Sequence, residues 1–171
     1  MTAEKVDLRI WLWGLLAFAI VIALGATLDA DTPYGIVDHQ AAATAAQVDT
    51  IQAAWKQAGL RWLAMIAMAG DLVFIGIYSL GAWRAGRSFA RIGNFAVVLI
   101  GHQIAIAAVI FCVTDYVETG LQFVQLVQDQ GSNWMAGTAA FMQPIKIVAW
   151  VASFLGVIIA LVVRRISGPH A

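Results

Sequence analysis

Residues 91–118 are the stretch that most restricts how this chain can fold. The stretch opens on Arg91 and then stays apolar for about the 20 residues a helix needs to cross a bilayer. Asn94, His102 and Gln103 lie inside it, and Asp115 and Glu118 lie at its far end. Each of these groups costs free energy in hydrocarbon unless a partner satisfies it. A helix carrying them must be surrounded by other helices. The sequence supplies these in apolar runs over residues 10–28, 61–83 and 142–163, beside the run over 92–114. The expected fold is all-α, an integral membrane bundle of four transmembrane helices, with residues 1–171 forming one membrane domain.

Composition agrees. Hydrophobic residues make up 61% of the chain and charged residues 12%, about half the usual charged share of a soluble domain. Net charge is zero and no basic run is interleaved with aromatics, so nucleic acid is not an expected partner. The expected partner is the lipid bilayer, with a homo-oligomer or a larger membrane complex left open. The single cysteine, Cys112, lies in an apolar run; it reads as a small buried hydrophobe. No cofactor and no metal are expected, because no cysteine–histidine ligand pattern exists.

The first run follows Lys5 and Arg9 and is longer than the 7–15 residues or so of a signal core, so it is expected to stay as a membrane helix. Trp11 and Trp13 suit the headgroup level. Residues 29–60 form a polar connection that starts irregularly through Pro33, Gly35 and Asp38. Residues 41–58 then turn helical. Val48, Ile51 and Trp55 share a stripe with Asp49, Gln52 and Lys56 turned elsewhere. That pattern predicts an amphipathic, extracytoplasmic helix lying on the membrane surface, with a lid over the bundle as the less favoured alternative.

The second run carries Asp71 near its middle, with Tyr78 on nearly the same face, and ends in a basic turn over residues 84–91. The third has a small-residue face of Gly93, Gly101, Ala105 and Ala108. It is expected to continue to about residue 130, before a loop over 131–137. In the fourth run Pro144 suits a first helical turn, and Gln143, Lys146, Trp150 and Ser153 form one stripe.

Charge fixes the expected threading. Lys5, Arg9, Arg84, Arg87, Arg91, Arg164 and Arg165 fall on one side, against Lys56 and Arg61 on the other. The positive-inside rule then puts both termini in the cytoplasm of a multi-pass protein of the cell membrane, with a bacterial inner membrane as the expected setting. From the helical rise, Asp71 and His102 each lie roughly 15 Å deep, which makes them candidate midplane partners. Asp115, Glu118 and Lys146 form a second candidate cluster nearer the outer face. His102 and Asp115 point to nearly opposite sides of a straight helix, so they define two sites unless that helix bends.

Two functions suit these residues. One is a membrane-complex subunit or a small proton or solute transporter, with Asp71, Tyr78, His102, Gln103 and Trp150 lining the pathway. The other is a membrane-embedded enzyme acting on a lipid or isoprenoid, with Asp71, Asp115 and Glu118 as acid–base groups and Lys146 as electrostatic stabiliser. The first is the preferred expectation. Against both stands plain structure: a hydrogen bond for Asp71, an ion-paired staple for Asp115, Glu118 and Lys146, and a satisfied core histidine at 102.

Overall fold

A computed structural model describes residues 6–92 and 94–167. Lys5, Gly93 and His170 lie outside the described residues. Six helices and no strand occur among those described: α1 (Arg9–Asp31), α2 (Ile36–Ala41), α3 (Ala45–Gln57), α4 (Arg61–Ile92), α5 (Phe95–Gln128) and α6 (Asn133–Ile166). Helices α1, α4, α5 and α6 are each long and apolar enough to cross a membrane. The chain is a multi-pass membrane protein, and its all-α bundle matches the sequence expectation.

The spans outrun their apolar cores. Helix α4 continues through residues 84–91, where the sequence reading placed a turn. No proline interrupts it, and Ala85 and Phe89 are buried in the packing. Helix α5 runs unbroken to Gln128, as its continuing apolar pattern implied. Helix α6 begins at Asn133, so residues 133–137 are helix rather than loop, and Pro144 lies inside the helix rather than in its first turn. Proline removes one ladder hydrogen bond there, and the flanking helix holds regardless.

Packing order differs from chain order. Helix α4 packs against α1 and α5, and α5 packs against α4 and α6. The α4–α5 contact brings backbones together. A Cβ added at Gly101 would meet the Ala90 nitrogen at 2.5 Å and the Gly86 oxygen at 2.7 Å. Small residues give helix association in lipid its close van der Waals fit, since apolar burial gains little there. Helices α1 and α6 do not pack backbone to backbone. Rings bridge them: Trp11 on Phe154 at 5.8 Å and Phe18 on Trp150 at 5.2 Å between centroids. The bundle is thus closed by side chains toward its basic end and left parted toward the other.

That other end carries a cap. Thr44 starts α3 with a reciprocal capping box to Gln47. The predicted stripe of Val48, Ile51 and Trp55 is buried, but against protein rather than lipid. It packs with Leu28, Leu63, Ala64, Met68, Leu126 and Ala136. Helix α3 therefore covers the bundle instead of lying on the membrane surface, and Gln52, expected to turn away from the stripe, is buried with it. Polar staples hold the cap. Lys56 pairs with Asp129, the Gly131 N–H donates to Asp49, and the Ala45 N–H donates to Asn133 at 2.8 Å. Asp129 is also the left-handed C-cap of α5. The Lys56 hydrogen bond, with Arg61 nearby, holds its carboxyl below the usual range.

Candidate functional site

Helix α5 presents a polar stripe beneath the cap. Asp115, Glu118, Thr119, Gln122 and Gln125 are all buried, at successive helical spacings on one face. Helix α6 brings Lys146 against this stripe. Its ammonium lies 3.0 Å from Asp115 Oδ1 and 2.8 Å from Glu118 Oε1. Helix α4 brings Asp71, whose Oδ2 lies 3.0 Å from the Thr119 hydroxyl. That hydroxyl also sits 3.3 Å from Asp115 Oδ1.

Asp71 therefore joins Asp115, Glu118 and Lys146 in one cluster, where the sequence reading had separated it as a midplane residue. About 20 residues of α5, and as many of α6, separate the cluster from the basic ends of those helices, or roughly 30 Å. The site lies toward the capped end and is shielded above by α2 and α3. Lys146 stands well within α6, not a turn or two from its start.

His102 and Gln103 are not part of it. Both are exposed on the outer surface of α5, and His102 satisfies its Nδ1 on the Val98 carbonyl of its own helix at 2.9 Å. The opposed directions of His102 and Asp115 are resolved by one site, not two. Tyr78 and Trp150 lie beneath the cluster. Ser153 donates to the Trp150 carbonyl at 2.9 Å and accepts from Tyr78 at 3.0 Å. Phe18, Phe74, Phe111, Tyr78 and Trp150 meet ring to ring at 5.2–6.2 Å and floor the site.

A cavity of about 400 Å³ opens beside this cluster. Asp71, Asp115, Thr119 and Lys146 form its polar wall, and Phe18, Phe74, Phe111 and Trp150 its aromatic floor. Its mouth is the gap between α1 and α6. Ile22 and Val37 on one side, and Ile147 and Val151 on the other, line it while staying exposed on the bundle surface. Asp29 and Gln40 stand at its capped rim.

The electrostatics are unbalanced. Three carboxyl groups face one ammonium, and Lys146 is engaged by two of them. Thr119 has a single proton to offer two carboxylate oxygens, so its second contact is a hydrogen bond only when a carboxyl brings a proton of its own. Glu118 is fully buried, and its Oε2 has no hydrogen-bond partner among the described residues. No group of three or more His, Cys, Asp or Glu among the described residues is placed to hold a metal ion.

Sequence reasoning missed Thr119, Gln122, Gln125, Gln52 and His39. The first three were findable, since they continue the three- and four-residue spacing of Asp115 and Glu118. Gln52 and His39 were not, because their burial depends on the cap. The His39 ring lies against Trp55 at 5.0 Å, and its Nε2 faces the Gln52 amide at 3.2 Å. Burial lowers its pKa from 6.5 to about 4. A lowered histidine pKa gives stability that is fully present above about pH 6.5 and is lost as pH falls toward 4, because only the unfolded chain binds the proton. At about 1.4 kcal/mol per pH unit, the loss approaches roughly 3 kcal/mol. Unfolding free energies at pH 7.5 and 4.5 are expected to differ by about that much more in the wild type than in His39→Gln. Equal differences in the two proteins would refute the assignment.

No family model, curated protein or solved structure matches this chain.

Proposed function

We propose that this protein takes up an amphiphile sideways from the bilayer and holds its polar end against Asp71, Asp115 and Lys146. It then works as a small carrier or transporter of that molecule. The observation behind this reading is the cavity between α1 and α6, which joins an apolar mouth facing lipid to a buried acid–base wall. A volume of about 400 Å³ suits a head group with the first part of its tail. A bundle whose polar groups served packing alone would be expected to close over them, since buried polar groups are costly without partners. By the positive-inside bias the basic end is cytoplasmic, so the mouth opens from the outer leaflet. The same cavity meets the requirement of the alternative, an enzyme acting on a lipid or isoprenoid. The two differ in whether the bound molecule leaves chemically changed.

Gly25 lines the mouth, and a Cβ there would meet only Ile36 Cγ1, at 3.9 Å. Gly25→Phe should thus fill the cavity without forcing backbones apart. Wild-type protein, purified gently and analysed by native mass spectrometry, is expected to retain a bound amphiphile. Gly25→Phe is expected to lose it while remaining folded. Equal retention by the two proteins would rule the cavity out as the binding site. A new product mass on incubation with the released molecule would select the enzyme over the carrier.

A further inference from the structure

The charges and rings of this cavity specify its occupant more closely, on the premise that the cavity binds an amphiphile at all. We infer that it selects a lipophilic cation: a compact apolar molecule or single chain ending in an ammonium group and carrying no phosphate. The inference rests on the identity of the groups that face the cavity, taken element by element. Helix α1 presents Asp29, α4 presents Asp71, α5 presents Asp115 with Glu118 behind it, and α6 presents Lys146. Helix α2 contributes Gln40, while its His39 is turned to Gln52 and Trp55. Lys146 is the one cation among the residues lining the cavity.

That cation is already engaged. Its ammonium is shared between Asp115 and Glu118 at 3.0 and 2.8 Å. An anionic head group would have to displace a buried carboxylate from it and then sit beside Asp71. Three carboxyl groups against one ammonium leave room for a second positive charge, whose arrival favours their ionised form and is attracted by it. The floor adds to this. Phe74 and Phe111 stand about one helical turn from Asp71 and Asp115 on their own helices, and with Phe18 and Trp150 they line the same cavity. Aromatic faces stabilise ammonium groups, tryptophan most of all. Carboxylates above and rings below form a cage for a cation, and the α1–α6 gap leaves its apolar part in lipid.

A charge-matched probe series tests this. Wild-type protein in nanodiscs of neutral phosphatidylcholine is offered dodecyltrimethylammonium, dodecanol or dodecyl phosphate at equal mole fraction, and occupancy is read by native mass spectrometry. Gly25→Phe supplies the background for sites other than the cavity. The ammonium probe is expected to bind about tenfold or more tighter than the alcohol, with the phosphate weakest. Asp71→Asn is expected to reduce the preference of the ammonium over the alcohol, since Asp71 is the carboxyl not committed to Lys146. Alcohol or phosphate binding as well as the ammonium, in a Gly25→Phe-sensitive manner, would overturn the selectivity and leave the cavity as a binding site. Binding of all three probes that Gly25→Phe does not change would overturn the site itself. If Asp71→Asn does not fold, the wild-type series decides the matter by its own ranking.

Discussion

Lys146→Met is expected to destabilise the folded bundle by about 3–5 kcal/mol, the usual cost of removing one partner from a buried ion pair. Lys146 is buried, and its ammonium is the counterion of two carboxyl groups that are themselves 2% and 0% exposed. Methionine keeps most of the volume and removes the charge. Asp115 and Glu118 then remain buried without a counterion, with Asp71 as a third carboxyl group nearby. The loss belongs to the stranded carboxylates rather than to the missing lysine. Adding Asp115→Asn and Glu118→Gln to Lys146→Met is therefore expected to restore most of the stability. Reversible unfolding in bicelles measures both variants. A cost under about 1 kcal/mol for the single substitution, or no recovery in the triple variant, would show that the cluster is solvated or already neutral.

Gly101→Leu is expected to be comparably damaging for a reason that involves no charge. Helices α4 and α5 meet there with backbone against backbone, and any Cβ at 101 falls within 2.5–3.0 Å of the Ala90 nitrogen, the Gly86 oxygen and the Phe89 carbonyl carbon. None of these atoms yields by a rotamer change, so the helices must part. The cost is expected to exceed about 3 kcal/mol, at the upper end of the overpacking range. Because α4 and α5 carry Asp71 and the Asp115–Thr119 pair, their separation is also expected to break the Asp71–Thr119 contact and loosen the cavity wall. Gly120 is the control. It lies on the same helix with nothing within 4 Å of an added Cβ, so Gly120→Ala is expected to be neutral or to gain up to about 1 kcal/mol of helix propensity. Similar unfolding free energies for Gly101→Leu and Gly120→Ala would contradict the close-packed contact.

Much of this architecture is legible in the one-dimensional pattern. Four runs of bilayer length allow little other than spanning helices, because backbone groups in hydrocarbon must be satisfied within the segment. The Val48, Ile51 and Trp55 stripe likewise marks a helix with one buried face. Helix ends were less legible. Residues 84–91 carry three arginines and residues 133–137 mix polar, small and large apolar side chains, and hydropathy alone cannot tell a turn from a helix that continues past the apolar core. For α4 the outcome was decided by burial of Ala85 and Phe89, a tertiary effect that overrides local composition.

The candidate site divides in the same way. Asp71, Asp115, Glu118 and Lys146 stand out in sequence because charges within spans are costly and few. Their grouping does not, since depth along each helix was measured from apolar boundaries that the helices outrun. His102 shows the converse. It looked like a midplane partner by depth, yet its angle on α5 turns it to the outer surface, where its own helix supplies a carbonyl. Sequence by itself determined that the chain is a membrane bundle with charge to hide, because the energetics of backbone and charge in lipid are local and depend on residue type. Only the tertiary structure decided that three helices pool that charge in one cluster, that α2 and α3 cover it, and that a cavity opens beside it between α1 and α6. Those outcomes depend on how helices rotate and cross, which is fixed by contacts between residues far apart in the chain.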